Sequence, residues 1–122
     1  MPNLQPLTIV IRIPNVALSR SDLNASLGLQ VDRYEALHER AYAQIDIADC
    51  EDQWAAALDR IRSIHAFIPG LISGGVIGRP SLDVAMAFSH SSLSKSLTIP
   101  AQLAAAAGEA GMDVELSVYQ TE

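Results

Sequence analysis

Apolar and polar positions alternate with a period of two in four separate stretches of the chain. Leu7, Ile9, Ile11 and Ile13 alternate with Thr8, Val10 and Arg12, and Ala43, Ile45 and Ile47 with Gln44 and Asp46. Leu82, Val84, Met86 and Phe88 alternate with Asp83, Ala85 and Ala87, and Val114, Leu116 and Val118 with Glu115, Ser117 and Tyr119. Successive side chains of a strand point to opposite faces, so each stretch predicts a strand with one apolar side. Pro14 and Asn15 are expected to end the first.

Elsewhere the period changes. Trp54, Leu58, Ile61, Ile64 and Ile68 fall on one side of a helix, with Gln53, Asp59, Arg60 and Arg62 on the other, and Pro69–Gly70 closes it. Asp49 is the expected N-cap, with Glu51 and Asp52 in the first turn, where carboxylates complement the helix dipole. A shorter helix is predicted from a cap at Ser19 or Ser21 to Gly28, with Leu23 and Leu27 on one face. Pro100 suits the first turn of a third helix, which runs through the Ala104–Ala107 block to about Ala110 and stops at Gly111. Residues 29–41 show no clear period and are expected to be mostly loop. Residues 70–80 form a glycine-rich connection that carries Leu71, Ile72, Val76 and Ile77, and residues 89–96 a polar loop.

The predicted order is β-α-β-α-β-α-β, an α+β domain. Strands buried on both faces, as in parallel sheets, read as continuous apolar runs, and these do not. The expectation is a four-stranded mixed or antiparallel sheet with three helices on one face. Thr8, Arg12, Gln44, Asp46, Asp83, Ala85, Ser89, Glu115, Ser117 and Tyr119 would line the other. The first strand–helix–strand run resembles the last in type and spacing, a pseudo-repeat of pattern.

With 122 residues the chain suits a single domain, residues 1–122. Only 5% of residues are aromatic, which predicts an aliphatic core with Trp54, Phe67 and Phe88 as its large pieces. The net charge of −6 and scattered Lys and Arg argue against a nucleic-acid partner, because an acidic surface repels phosphate. One cysteine, Cys50, excludes an intramolecular disulfide. The first residues offer neither a basic region nor an apolar run of signal-peptide length, and residues 7–13 are too short to span a bilayer. No membrane partner and a cytoplasmic location are therefore expected.

Candidate chemistry is sparse. Gly74-Gly75-Val76-Ile77-Gly78 lacks the lysine of a phosphate loop and leads into a strand rather than a helix N-terminus, so it reads as a connector. His38, His65 and His90 are far apart and lack two-ligand spacing. Ser89, Ser91, Ser92, Ser94 and Ser96 surround His90 and Lys95 without a nucleophile-elbow motif. Cys50 sits among Asp49, Glu51 and Asp52, which oppose formation of a thiolate. The same acids, with Asp46, lack the glycine and late glutamate of a calcium loop. Pro2 follows Met1 and precedes the first strand by several residues, unlike the terminal proline of a tautomerase. No catalytic residue, metal site or cofactor is expected.

Several short motifs carry a resemblance. The strand at 7–13 is followed by Leu27-Gly28-Leu29; later come Ile99-Pro100, Leu103-Ala104, Gly111 and Val118-Tyr119. In these and in element order the chain resembles a family of small bacterial α+β domains of unknown function. Members often carry a proline and a tryptophan after the Leu-Gly pair, and residues 30–40 here have neither. Some domains of this kind are similar in role to immunity proteins that neutralise toxins. The resemblance lends no catalytic residues. Small size, a net charge of −6 and the lack of chemistry point to a non-catalytic protein-binding module, and the resemblance implies a basic toxin domain as its partner; Asp46, Asp83, Glu115 and Tyr119 on the polar sheet face are the expected contact patch. A homodimer joined through Ala85 and Ala87 on the sheet face is the alternative, and a small-ligand-binding domain the third.

Overall fold

A computed structural model describes residues 5–89, 91 and 93–121. The four alternating stretches all form strands, and a fifth, unforeseen strand joins them. In chain order the elements are β1 (Thr8–Val16), α1 (Arg20–Leu27), β2 (Arg33–Ala36), β3 (Ala41–Asp46), α2 (Gln53–Ile64), α3 (Ile68–Ser73), β4 (Ser81–Ser89), α4 (Ala101–Glu109) and β5 (Asp113–Thr121). The class is α+β, with one sheet of order β2-β3-β1-β4-β5. Its pairings are antiparallel except β4–β5, which is parallel.

The inward rows, among them Ile9, Ile11 and Ile13 of β1, Ala43 and Ile45 of β3, and Leu82 and Val84 of β4, are all but fully buried. They share one core with Leu23 and Leu27 of α1, Ile61 and Ile64 of α2, Ile68 of α3, and Leu103 and Ala107 of α4. Burying such a side chain stabilises the fold by roughly 1.5–3 kcal/mol. Among the described residues no helix covers the opposite face of the sheet. Trp54 belongs to the core, but Phe67 is exposed and Phe88 half-buried, so aromatic residues contribute less than composition implied.

Helix ends follow local chemistry. The Ser19 hydroxyl accepts the Asp22 N–H, and Gly28 ends α1 at a positive φ of 71°, which a side chain disfavours. Asp52, not Asp49, caps α2 by accepting the Ala55 N–H. The predicted long helix is broken. α2 stops at Ile64, and Pro69 lies in the first turn of the short α3, where a missing N–H costs nothing.

β1 runs past Pro14 to Val16 through an irregularity after Ile13, where Asn15 takes a φ of 52°. Gly78 crosses there: its N–H donates to the Pro14 carbonyl, and a Cβ would stand 3.1 Å from the proline ring. Arg40 donates to the Asn15 and Gly75 carbonyls, closing the same corner. Ile77 is buried and Leu71 and Ile72 pack on the core, so the apolar residues of 70–80 cover it. The pseudo-repeat is one of pattern only. β2 intervenes between β1 and β3 and reverses the chain, so those two run antiparallel, whereas β4 and β5 run parallel.

Candidate functional site

Register lines up the outward-facing side chains of the sheet. Asp46 lies opposite Val10, Val10 opposite Asp83, and Asp83 opposite Glu115, so three of the predicted contact residues stand in one row. The next row holds Arg33, Gln44, Arg12, Ser81 and Asp113. Tyr119 lies on the same face, beside Ala87.

Arg12 ties this face together. Its Nε and Nη2 donate to Asp83 Oδ2 at 3.0 and 2.8 Å, and its Nη1 to the Tyr42 hydroxyl at 2.8 Å and Gln44 Oε1 at 3.3 Å. Tyr42 in turn donates to Gln44 Oε1, and Gln44 Nε2 to Asp46 Oδ1 at 2.7 Å. On the other side, the Ser117 hydroxyl donates to Asp83 Oδ1 at 2.7 Å. The chain of bonds thus joins β3, β1, β4 and β5. Arg33 and Glu35 pair on β2, and the Arg33 guanidinium lies 5.8 Å from the Tyr42 ring centre, extending the polar face to that edge.

The side chain of Asp83 is only 4% exposed, against 36% for Arg12. A buried carboxylate needs a partner for each oxygen, and Asp83 has both. Its hydrogen bonds hold the Arg12 guanidinium above its ordinary pKa, against a smaller opposing effect of burial. Asp83 is therefore a structural centre of this face and not an accessible contact. Asp46, Glu115 and Tyr119 are exposed as predicted. Neighbouring strands are about 4.8 Å apart, so Asp46 and Glu115 are roughly 14 Å from each other, too far for a two-carboxylate catalytic pair.

Arg12, Gln44 and Ser117 were expected on this face though outside the four-residue patch, and Tyr42 is the network member that sequence reasoning missed. Tyr42 shares the parity of Gln44 and Asp46, which would have placed it on this face. Ala85, expected on the exposed face, is 3% exposed, so it offers no surface for a sheet-on-sheet dimer.

The helical side has a groove between α2 and α4, lined by Ile61, Arg62, His65, Gln102, Ala105, Ala106 and Glu109, with a volume of 490 Å³. A second hollow of 570 Å³ continues from Gln102 towards Trp54 and Glu51. Neither brings a nucleophile to a base. His65 Nδ1 lies 3.0 Å from the Arg62 carbonyl of its own helix. Cys50 is exposed ahead of α2, and no group of three metal-ligating side chains occurs among the described residues. No helix among them is long and apolar enough to cross a membrane. Met1, Pro2, His90 and Ser92 lie outside the described residues, so the tautomerase comparison and the centre of the serine loop do too. Comparison with family models, with curated proteins and with solved structures finds no match.

Proposed function

We propose that this chain is a non-catalytic, cytoplasmic protein-binding module that docks a basic partner on the open face of its sheet. The observation that supports this most is the placement of Asp46, Glu115 and Asp113, all exposed, around a polar network fixed by Arg12 and Asp83. A network held on rigid strands presents its charges in one arrangement, and little ordering is left for binding to impose. The net charge of −6 adds long-range attraction for a basic partner. With the resemblance to small bacterial domains, the partner class is a toxin domain, and the role that of an immunity protein.

The test is capture of partners from the source cell, followed by kinetics on the purified pair. Asp46→Lys and Glu115→Lys are on the surface and should leave the fold intact. Each is expected to slow association about tenfold or more at low salt, with a smaller effect at high salt. Association indifferent to both substitutions and to salt would remove the open face as the docking surface.

A further inference from the structure

β5 is the last strand of the sheet, yet its apolar row is uncovered. Val114, Leu116 and Val118 lie beside Leu82, Val84 and Met86 of β4 on the helical face, but are 40%, 54% and 56% exposed where their neighbours are buried. Edge strands ordinarily carry a lysine, a proline or a bulge that blocks further pairing. β5, Asp-Val-Glu-Leu-Ser-Val-Tyr-Gln-Thr, has neither residue, and its register with β4 runs without a shift over nine positions.

We infer that β5 is the interface with a second copy of this chain, paired antiparallel across a two-fold axis at Ser117. That axis, perpendicular to the sheet, gives overlap over the whole strand. It sets Leu116 against Val118 of the second copy, Val114 against Gln120, Glu115 against Tyr119, and Asp113 against Thr121. The apolar side chains meet one another, and no carboxylate faces a carboxylate. Moving the axis to Leu116 or Val118 shortens the overlap; moving it to Glu115 brings two glutamates together. Overlap and charge together thus select a second copy in one register, despite the acidity of the chain.

α4 supplies an independent reason. Its Gln102, Ala105, Ala106 and Glu109 face α2, and Leu103 and Ala107 point into the core. α2 contacts β1, and α4 contacts the outer strand β5. The side of α4 turned from α2, bearing Ala104 and Gly108, therefore overlooks the free edge. Both residues are exposed, and a Cβ at Gly108 would meet nothing within 4 Å, so packing within one copy does not explain the glycine. A perpendicular two-fold keeps both helical layers on one side of the sheet. The two α4 helices then flank the joined strands, and small residues let them come close above the apolar row. The product is a continuous ten-stranded sheet with the open faces on its other side. This goes beyond the binding proposal and does not depend on it.

The test is the mass of the full chain by light scattering and sedimentation over a range of concentrations. The expected mass is twice 13.1 kDa. Leu116→Lys and, separately, Ala104→Glu should each shift the population to monomer by at least tenfold in dissociation constant, with unchanged circular dichroism. In a Cys50→Ser background, Ser117→Cys should give a disulfide-linked dimer on oxidation, because the axis brings the two 117 positions together. A strict monomer overturns the inference. So does a dimer indifferent to both charged substitutions, or one that fails to cross-link at 117. Loss of a different protein's binding in Leu116→Lys, with the wild-type chain monomeric, would assign the edge to that protein instead.

Discussion

At one edge of the sheet β2 is four residues long, and Arg33 and Glu35 pair on its outer face. At the other, β5 is nine residues long and shows an apolar row on one face and two carboxylates on the other. The first edge is closed by charge, shortness and an arginine over Tyr42. Asp32, just before β2, also accepts the Asp46 N–H, so a side chain serves β3 where the short strand has ended. β5 is neither short nor covered by an arginine, and its two carboxylates lie on the open face only. The contrast teaches that edge protection is applied selectively in this fold, and it locates the unprotected side as the one open to pairing.

The two edges are also tied to the sheet differently, and this gives the largest expected effect. β5 is linked on the open face through Ser117 to buried Asp83 and from there to Arg12. Arg12→Met should lower unfolding free energy by about 2–4 kcal/mol, because it leaves a buried carboxylate without its cation; the half-exposed guanidinium keeps the value below that of a fully buried pair. Urea denaturation measures it. Replacing both partners, Arg12→Met with Asp83→Leu, should recover much of the loss. Equal destabilisation by single and double variants would show that the pair does not act as a unit.

Ser117→Ala tests the outer link alone. It removes one hydrogen bond to a charged oxygen and should cost about 1–2 kcal/mol. In native-state hydrogen exchange the increase should be largest on β5. A uniform rise across the sheet would mean that Ser117 does not secure this edge in particular.

How much of this was legible depends on the range of the forces involved. Alternation exposed four strands and the membership of the open face, because a half-solvated sheet records its two sides in period two. β2 was hidden: of Arg33-Tyr34-Glu35-Ala36 only Tyr34 is even partly buried, and its hydroxyl donates to the Leu18 carbonyl. α3 was hidden for another reason. Pro69 and Gly70 look like a stop, and Ile68 continues the apolar phase of α2 across the break. Which acid caps α2 turned on a single hydrogen bond among Asp49, Glu51 and Asp52. The burial of Asp83 could not be read at all, since Arg12 is 71 residues away and Ser117 34. Exposure of the Val114–Leu116–Val118 row was equally invisible, because its alternation is that of a covered strand.

The protected edge gives the smallest effect. Arg33→Met breaks the surface pair with Glu35 and removes the cation from Tyr42, and exposed pairs of this kind contribute about 0.2–1 kcal/mol. Unfolding free energy should therefore change by less than about 1 kcal/mol, well below the change in Arg12→Met although each variant loses one arginine from the same face. Charge on an edge strand works against unwanted neighbours and contributes little to the fold itself. Its removal should be felt in association: at raised concentration Arg33→Met is expected to form larger assemblies, seen by light scattering, while the wild-type chain does not grow through β2. A large loss of stability in this variant would mean that the pair holds the fold, and the contrast between the two edges would then lie in packing and not in protection.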